Sequence, residues 1–250
     1  MIKHLYFALA MLFLTCAVNA QDIQTHAWGG GADEKDLSFG FSFSSVNPYY
    51  KIQKAPNWQS PYVDALNGNV PLTGNLNSIN SGYTNGFGIG FLTRYRLTEF
   101  LEVRVTPSLI FVDKDITYTY DNTAPVTAPI TKAVQSTSVD LPLLLKLKSE
   151  KMGDFRPYII GGVKYSHAIG SKINSDLNDA PLDRLVKNVN GYASYEAGLG
   201  CDIYFEFFKM SPEIKVSNSF GNVLYQDNTA FSTPISKLYL HTLMFSLYFE

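Results

Sequence analysis

Eight stretches of this chain alternate large apolar residues with small or charged ones, position by position. That period of two is what a strand with unlike faces requires, because successive side chains leave a strand on opposite sides. In Leu37-Ser-Phe-Gly-Phe-Ser-Phe-Ser44 every odd residue is bulky and every even one small. Phe87, Ile89 and Phe91 then alternate with Gly86, Gly88 and Gly90, and Tyr95 and Leu97 with Arg94 and Arg96. Leu101, Val103, Val105, Leu109 and Phe111 oppose Glu102, Arg104, Thr106 and Ser108. Val139, Leu141, Leu143, Leu145 and Leu147 oppose Asp140, Pro142, Lys146 and Lys148. Four more runs follow, around Phe155–Tyr165, Ala193–Phe207, Pro212–Phe220 and Tyr239–Phe249. The last alternates least, since Leu240 and Tyr248 also place apolar groups on its second face.

The links between these runs alternate in length. Residues 46–84, 121–134, 169–189 and 222–236 are long and rich in Asn, Ser, Thr, Pro and Gly. The links near 97–99, 149–154 and 208–209 are short. An even strand count with long loops at one end and short turns at the other is the pattern of a transmembrane barrel. The expected fold is therefore all-β: an eight-stranded antiparallel transmembrane β-barrel of the outer-membrane type over residues 37–250, with both ends on the periplasmic side. A soluble sandwich has no reason to keep that length alternation. A lipocalin-type barrel would reverse the faces, apolar inside and charged outside. Alternation alone does not choose between the two.

The N-terminus favours export. Lys3 precedes an apolar run from Leu5 to Val18, and Val18-Asn19-Ala20 offers small residues for cleavage before Gln21. The run is shorter than the roughly 20 residues a spanning helix needs. A lipoprotein anchored through Cys16 is the minor alternative. Residues 1–20 are expected to be a signal peptide, and the polar residues 21–36 a flexible periplasmic lead. Removing Lys3 takes the formal charge from −2 to −3, so no positive field draws nucleic acid. Cys201 would then be the one cysteine, with no disulfide possible. Sixteen Tyr and seventeen Phe in 250 residues suit the aromatic belts of a membrane barrel.

With apolar faces outward, the lumen would receive Arg94, Arg96, Arg104, Lys146, Lys148, Arg156, Lys164 and Lys215 on the positive side. Glu102, Asp140, Glu196, Asp202, Glu206 and Glu213 would balance them. An eight-stranded barrel is just wide enough inside for its own side chains, so these residues are expected to form an internal plug of ion pairs and to leave no diffusion pore. The first long loop carries Trp58, Tyr62, Leu66 and Leu72. Apolar residues in a long loop either fold as a lid or dock a partner.

No catalytic constellation stands out. Gly86-x-Gly88-x-Gly90 lies within a strand and lacks the Lys-Ser or Lys-Thr of a phosphate loop. Its glycines would make room for bulky lumen neighbours. His26 lies in the lead, and His167 and His241 each read as an interfacial or packed residue. Asp176, Asp179 and Asp183 match no calcium-loop spacing and read as a solvated loop. No cofactor, metal or small-molecule substrate is expected. The expected partners are outer-membrane lipid and other proteins.

From Ser138 onward the chain resembles a known family. The residues that carry the likeness are Val139-Asp-Leu-Pro-Leu-Leu-Leu-Lys146, Phe155-Arg-Pro-Tyr158 with Gly161-Gly162, and Tyr195-Glu-Ala-Gly-Leu-Gly200. Ser211-Pro-Glu-Ile-Lys215 and Phe245-Ser-Leu-Tyr-Phe-Glu250 complete it. Together they resemble the PorT/SprT proteins of Bacteroidota, over most of residues 85–250. The resemblance implies a non-enzymatic outer-membrane component of type IX secretion, partnered by other secretion-system proteins and also serving gliding motility in gliding members. It implies no catalytic residues. A surface binding or adhesion barrel is the alternative, and an outer-leaflet hydrolase a weaker one.

Overall fold

A computed structural model of the chain describes residues 31, 33–63, 71–121, 128–169 and 182–250. Residues 1–30, with the expected signal peptide, its cleavage point and His26, lie outside them. So do Leu66, Asp176 and Asp179.

Ten strand segments are present: β1 (Leu37–Lys54), β2 (Leu76–Ser81), β3 (Gly86–Arg96), β4 (Leu101–Val105), β5 (Ser108–Tyr120), β6 (Ile130–Lys148), β7 (Phe155–Ile169), β8 (Gly191–Tyr204), β9 (Lys209–Ser219) and β10 (Ile235–Phe249). They make eight staves. β4 and β5 both pair with β3 and β6 and are one stave, interrupted at Thr106-Pro107. Pro107 has no N–H for a ladder, and its carbonyl accepts from the Phe91 amide at 2.9 Å. β2 and β3 both pair with β5 and form a second broken stave, bulged at residues 82–85. All neighbours are antiparallel, and the ring closes where β1 pairs with β10 on one side and β3 on the other. Phe41 sits opposite both Phe249 and Phe91 across that closure.

The β1–β3 ladder ends at Val46↔Gly86. Two residues on, Pro48 offers no donor; the Asn47 side chain donates to that of Asn85, and the Tyr50 amide donates to the Ser81 hydroxyl at 3.0 Å.

The apolar faces point outward. Phe39, Phe43, Phe91, Leu143, Leu145 and Leu199 are each more than half exposed, while Arg94, Glu102, Arg104, Lys146 and Asp202 are wholly buried inside. Along β1 the outward face runs from Leu37 through Phe39, Phe41 and Phe43 to the interfacial ring of Tyr49, with Ser45 and Asn47 between. That is about 40 Å of strand, or about 30 Å of height at the usual tilt.

Beyond the band the strands continue and the polarity inverts. On β1, Val46, Tyr50 and Ile52 face in while Lys51 and Gln53 face out. On β5, Ile116, Tyr118 and Tyr120 face in, opposite Asp115, Thr117 and Thr119. β10 does the same with Leu238 and Leu240. Here the outside is water, so the inside takes the apolar residues. The long loops at 46–84, 121–134 and 222–236 are thus shorter than the sequence pattern indicates, because β1 reaches Lys54, β6 begins at Ile130 and β10 at Ile235.

Three of the four loops pack into this upper cavity. Val186, and Val223, Leu224, Ala230 and Phe231, share one buried cluster with the inward residues of β1, β2, β5 and β10, and Trp58 and Tyr62 of the first loop pack against it. The Tyr118 ring meets Phe231 edge-on at 5.1 Å, and its hydroxyl donates to the Phe231 carbonyl at 2.7 Å. Each such fully buried side chain contributes about 1.5–3 kcal/mol.

Candidate functional site: the filled lumen

The lower lumen holds two ion clusters joined by a tyrosine. At the short-turn end, Arg94 Nη1 donates to Glu102 at 3.0 Å and Arg94 Nε to Glu250 at 2.5 Å. Lys148 also bonds Glu102, and Lys209 Nζ lies 3.0 Å from Glu250. Lys146 Nζ donates to both oxygens of Asp202 at 2.7 Å, and Ser211 donates to the same carboxylate at 2.6 Å. Higher up, Arg104 Nη1 donates to Glu213 at 2.8 Å. Lys215 lies 3.3 Å from Glu213 and 3.5 Å from Glu196. Lys164 bridges Glu196 at 2.9 Å and Asp140 at 3.0 Å. Tyr158 connects the levels, since its hydroxyl donates to Glu213 at 2.8 Å and its ring lies 3.8 Å beneath the Lys146 ammonium. Buried charges persist only when paired, and each of these has an ion partner, although Arg104 Nε and Nη2 make no hydrogen bond. Wholly buried Arg94, Arg104 and Lys146 also leave no water-sized opening beside them.

Most of the expected lumen residues meet in this network. Three do not. Glu206 lies in the 205–208 turn, exposed, because the inward alternation of β8 ends at Tyr204. Arg96 sits at the rim and pairs with Asp36 at 2.8 Å. Arg156 is also at the rim, donating to the carbonyls of Ser149 and Glu99 at 2.7 Å.

Lys209 and Glu250 join without having been anticipated. Both keep the inward parity of β9 and β10, so the signal was present in the alternation. Asp33 carried no such signal. It belongs to the segment expected to be a flexible lead, yet its carboxylate lies 3.1 Å from Lys209, 3.3 Å from Arg94 and 3.7 Å from Arg156, and accepts from the Tyr204 hydroxyl. Arg96 Nη1 donates to the Asp33 carbonyl at 2.8 Å. Residues 33–36 are therefore strapped across the short-turn mouth.

Of the loop residues read as either a lid or a docking surface, Trp58, Tyr62 and Leu72 fall within the described residues. Trp58 and Tyr62 pack against the upper apolar cluster. The Tyr62 hydroxyl donates to the Asn228 carbonyl at 3.2 Å, and the half-buried Leu72 donates its amide to the Tyr62 carbonyl at 2.9 Å. This is the lid arrangement. Its cause is the water outside this part of the barrel, which drives apolar loop residues into the mouth.

The glycines of 86–90 lie on the inner face. A Cβ at Gly88 would come within 2.5 Å of Ile110, and one at Gly90 within 2.4 Å of the Ser108 hydroxyl. His167 points outward beside Tyr165, and His241 stacks on Tyr49 at 5.2 Å. Asp183 is exposed, and among the described residues no group of His, Cys, Asp and Glu could hold a metal ion.

A match to the outer membrane protein beta-barrel domain family spans residues 35–225. The chain belongs to that family. No curated protein matches it. Among solved structures, OprG from Pseudomonas aeruginosa is 13% identical, with 91% of this chain and 97% of that one covered and a TM-score of 0.44. Neisserial surface protein A is 10% identical over 86% and 98%, with a TM-score of 0.39. The N-terminal barrel domain of Pseudomonas aeruginosa OprF is 12% identical over 83% and 96%, with a TM-score of 0.30.

As an outer-membrane barrel the protein has its short turns and both strand termini facing the periplasm. Aromatic rings mark each edge of the apolar band, as interfacial belts do. On the outer edge Tyr49, Tyr83 and His241 cluster, with ring centroids 5.0 and 5.2 Å apart, and Tyr195 meets Phe220 at 5.4 Å. On the periplasmic edge Phe205 stacks on Phe208 at 4.8 Å and Phe41 on Phe249 at 5.2 Å.

The periplasmic strap has a predictable pH response. Burial pushes the Asp33 carboxyl up, but Lys209, the Tyr204 hydrogen bond, Lys148 and Arg94 together outweigh it and hold it well below the usual carboxylate range. A carboxyl depressed in the folded state contributes stability above its unfolded value of about 3.9, lost as pH falls through the folded value. The strap is expected to hold at neutral pH and loosen only below about pH 4. Asp33→Asn should loosen it at neutral pH as acid does in the parent, with trypsin cleavage at the exposed Lys35 rising about tenfold at pH 8. Equal cleavage of both proteins would show that Asp33 does not hold the strap.

Proposed function

We propose that this outer-membrane barrel is a non-enzymatic integral component of a type IX secretion apparatus, needed to export proteins with C-terminal sorting domains. Where the cell glides, it would serve delivery of the surface proteins that gliding uses. The resemblance of Val139–Lys146, Ser211–Lys215 and Phe245–Glu250 to the PorT/SprT proteins suggests the system. The observation that carries the mechanism is the filled lumen. A barrel whose interior is taken up by ion pairs below and an apolar lid above has no route for a polypeptide. It must then act through its surfaces, by fixing other secretion proteins in the membrane.

Clean deletion of the gene, with sorting-domain proteins quantified in medium, surface and periplasm, tests this. Cargo is expected to accumulate in the periplasm and to return outside on complementation. Unchanged cargo distribution would refute the secretion role. One observation favours the second reading, a surface binding barrel: three external loops fold onto a single core, which presents a rigid face. A loop-replacement variant that secretes normally but loses a surface ligand would select it.

A further inference from the structure

The outer edge of the apolar band is not uniform in charge around the barrel. On the β1–β10 wall the Tyr49–Tyr83–His241 aromatic cluster marks the interface. Lys51 lies two residues above Tyr49 on the same outward face and is exposed. Tyr239 is its cross-strand partner, and Lys237, opposite Gln53, is exposed one step further out. Lys51 and Lys237 are thus diagonal neighbours, about 7–8 Å apart at the backbone. Lys54 follows at the rim, opposite the buried Ile235, and turns its ammonium 3.7 Å over the Trp58 ring of the lid. Among the described residues none of these three lysines has a carboxylate partner. Two staves away, on β5, the outward face carries Asp113 and Asp115, the latter's carbonyl accepting from the Gly82 amide beside the aromatic cluster.

We propose that the β1–β10 wall, just above its aromatic cluster, binds the phosphate groups of a phosphorylated glycolipid of the outer leaflet. The height fits, because lipid headgroups begin where the interfacial rings end. The chemistry fits, because unpaired ammonium groups spaced along a wall match phosphates on an otherwise apolar lipid. Trp58 contributes by holding Lys54 against the protein, which lowers the ordering cost of binding. The acidic β5 wall would repel the same headgroup, so the bound lipid would take one side of the barrel.

The test uses the full chain purified in detergent and titrated with bisphosphorylated lipid A, bound lipid being counted by native mass spectrometry. At about fivefold per ammonium group, Lys51→Gln, Lys54→Gln and Lys237→Gln together are expected to weaken binding roughly 100-fold at low salt. Dephosphorylated lipid A should bind the unaltered protein about as weakly. Lys35→Gln with Lys151→Gln, at the periplasmic end, should change nothing. If the triple variant folds poorly, each single variant should still show its fivefold loss. Unchanged binding by the triple or single variants, equal binding of dephosphorylated lipid, or an equal loss in the periplasmic control would overturn the proposal.

Discussion

Glu213→Leu is expected to destabilise the barrel by about 3–5 kcal/mol, the cost of leaving a buried cation without its partner. Glu213 is the hub of the upper ion cluster, taking hydrogen bonds from Arg104 and Tyr158 and lying 3.3 Å from Lys215. Lys215 keeps Glu196 when Glu213 is lost. Arg104 does not have such a reserve. Its guanidinium is wholly buried, and the remaining contacts are the faces of Tyr248 and Tyr158, at 4.6 and 5.6 Å. Adding Arg104→Met should recover most of the loss, since an apolar pair in place of a buried ion pair is often neutral or better. Urea unfolding in micelles measures both. A single variant as stable as the parent would mean that water reaches Arg104, and the plug would have to be given up.

Leu143→Arg should cost about 2–4 kcal/mol in a bilayer, and Thr117→Arg about 0–1. Both face outward, Leu143 at mid-band between Val105 and Val163, Thr117 above the band on β5. The contrast tests where the hydrocarbon lies, because neither substitution touches the lumen. Equal costs in unfolding from lipid vesicles would place the band elsewhere.

The eight staves were legible because lipid imposes one rule on the whole band. Every outward residue from Phe39 to Phe43, or from Val139 to Leu147, answers to the same apolar surroundings, so the period of two survives intact. On β1 that rule reverses after Phe43, where Ser45 and Asn47 face outward and Val46, Pro48, Tyr50 and Ile52 carry the apolar side inward. A pattern that changes phase in mid-strand looks like a loop, which is why residues 46–54 read as one. The same reversal accounts for the weak alternation of β10, where Leu238 and Leu240 face the lid. In the lumen, parity alone placed Arg94, Glu102, Lys146, Asp202 and Glu213 together. Asp33 could not be found that way, since it follows no strand pattern. Its position depends on cations drawn from β3, β7 and β9, which only the closed ring assembles.

That closure also governs how the protein comes into being. The seam between β1 and β10 joins residues some two hundred positions apart, as in the Ser44–Ser246 hydroxyl contact at 2.8 Å. Until the last stave arrives, β1 and its neighbours would present bare amides and carbonyls to hydrocarbon, which cannot satisfy them. No partial ring is a resting place, so assembly should be nearly all-or-none and slow, as topologies dominated by distant pairings are. A nascent chain of this kind depends on something to shield its open edges until β10 reaches β1.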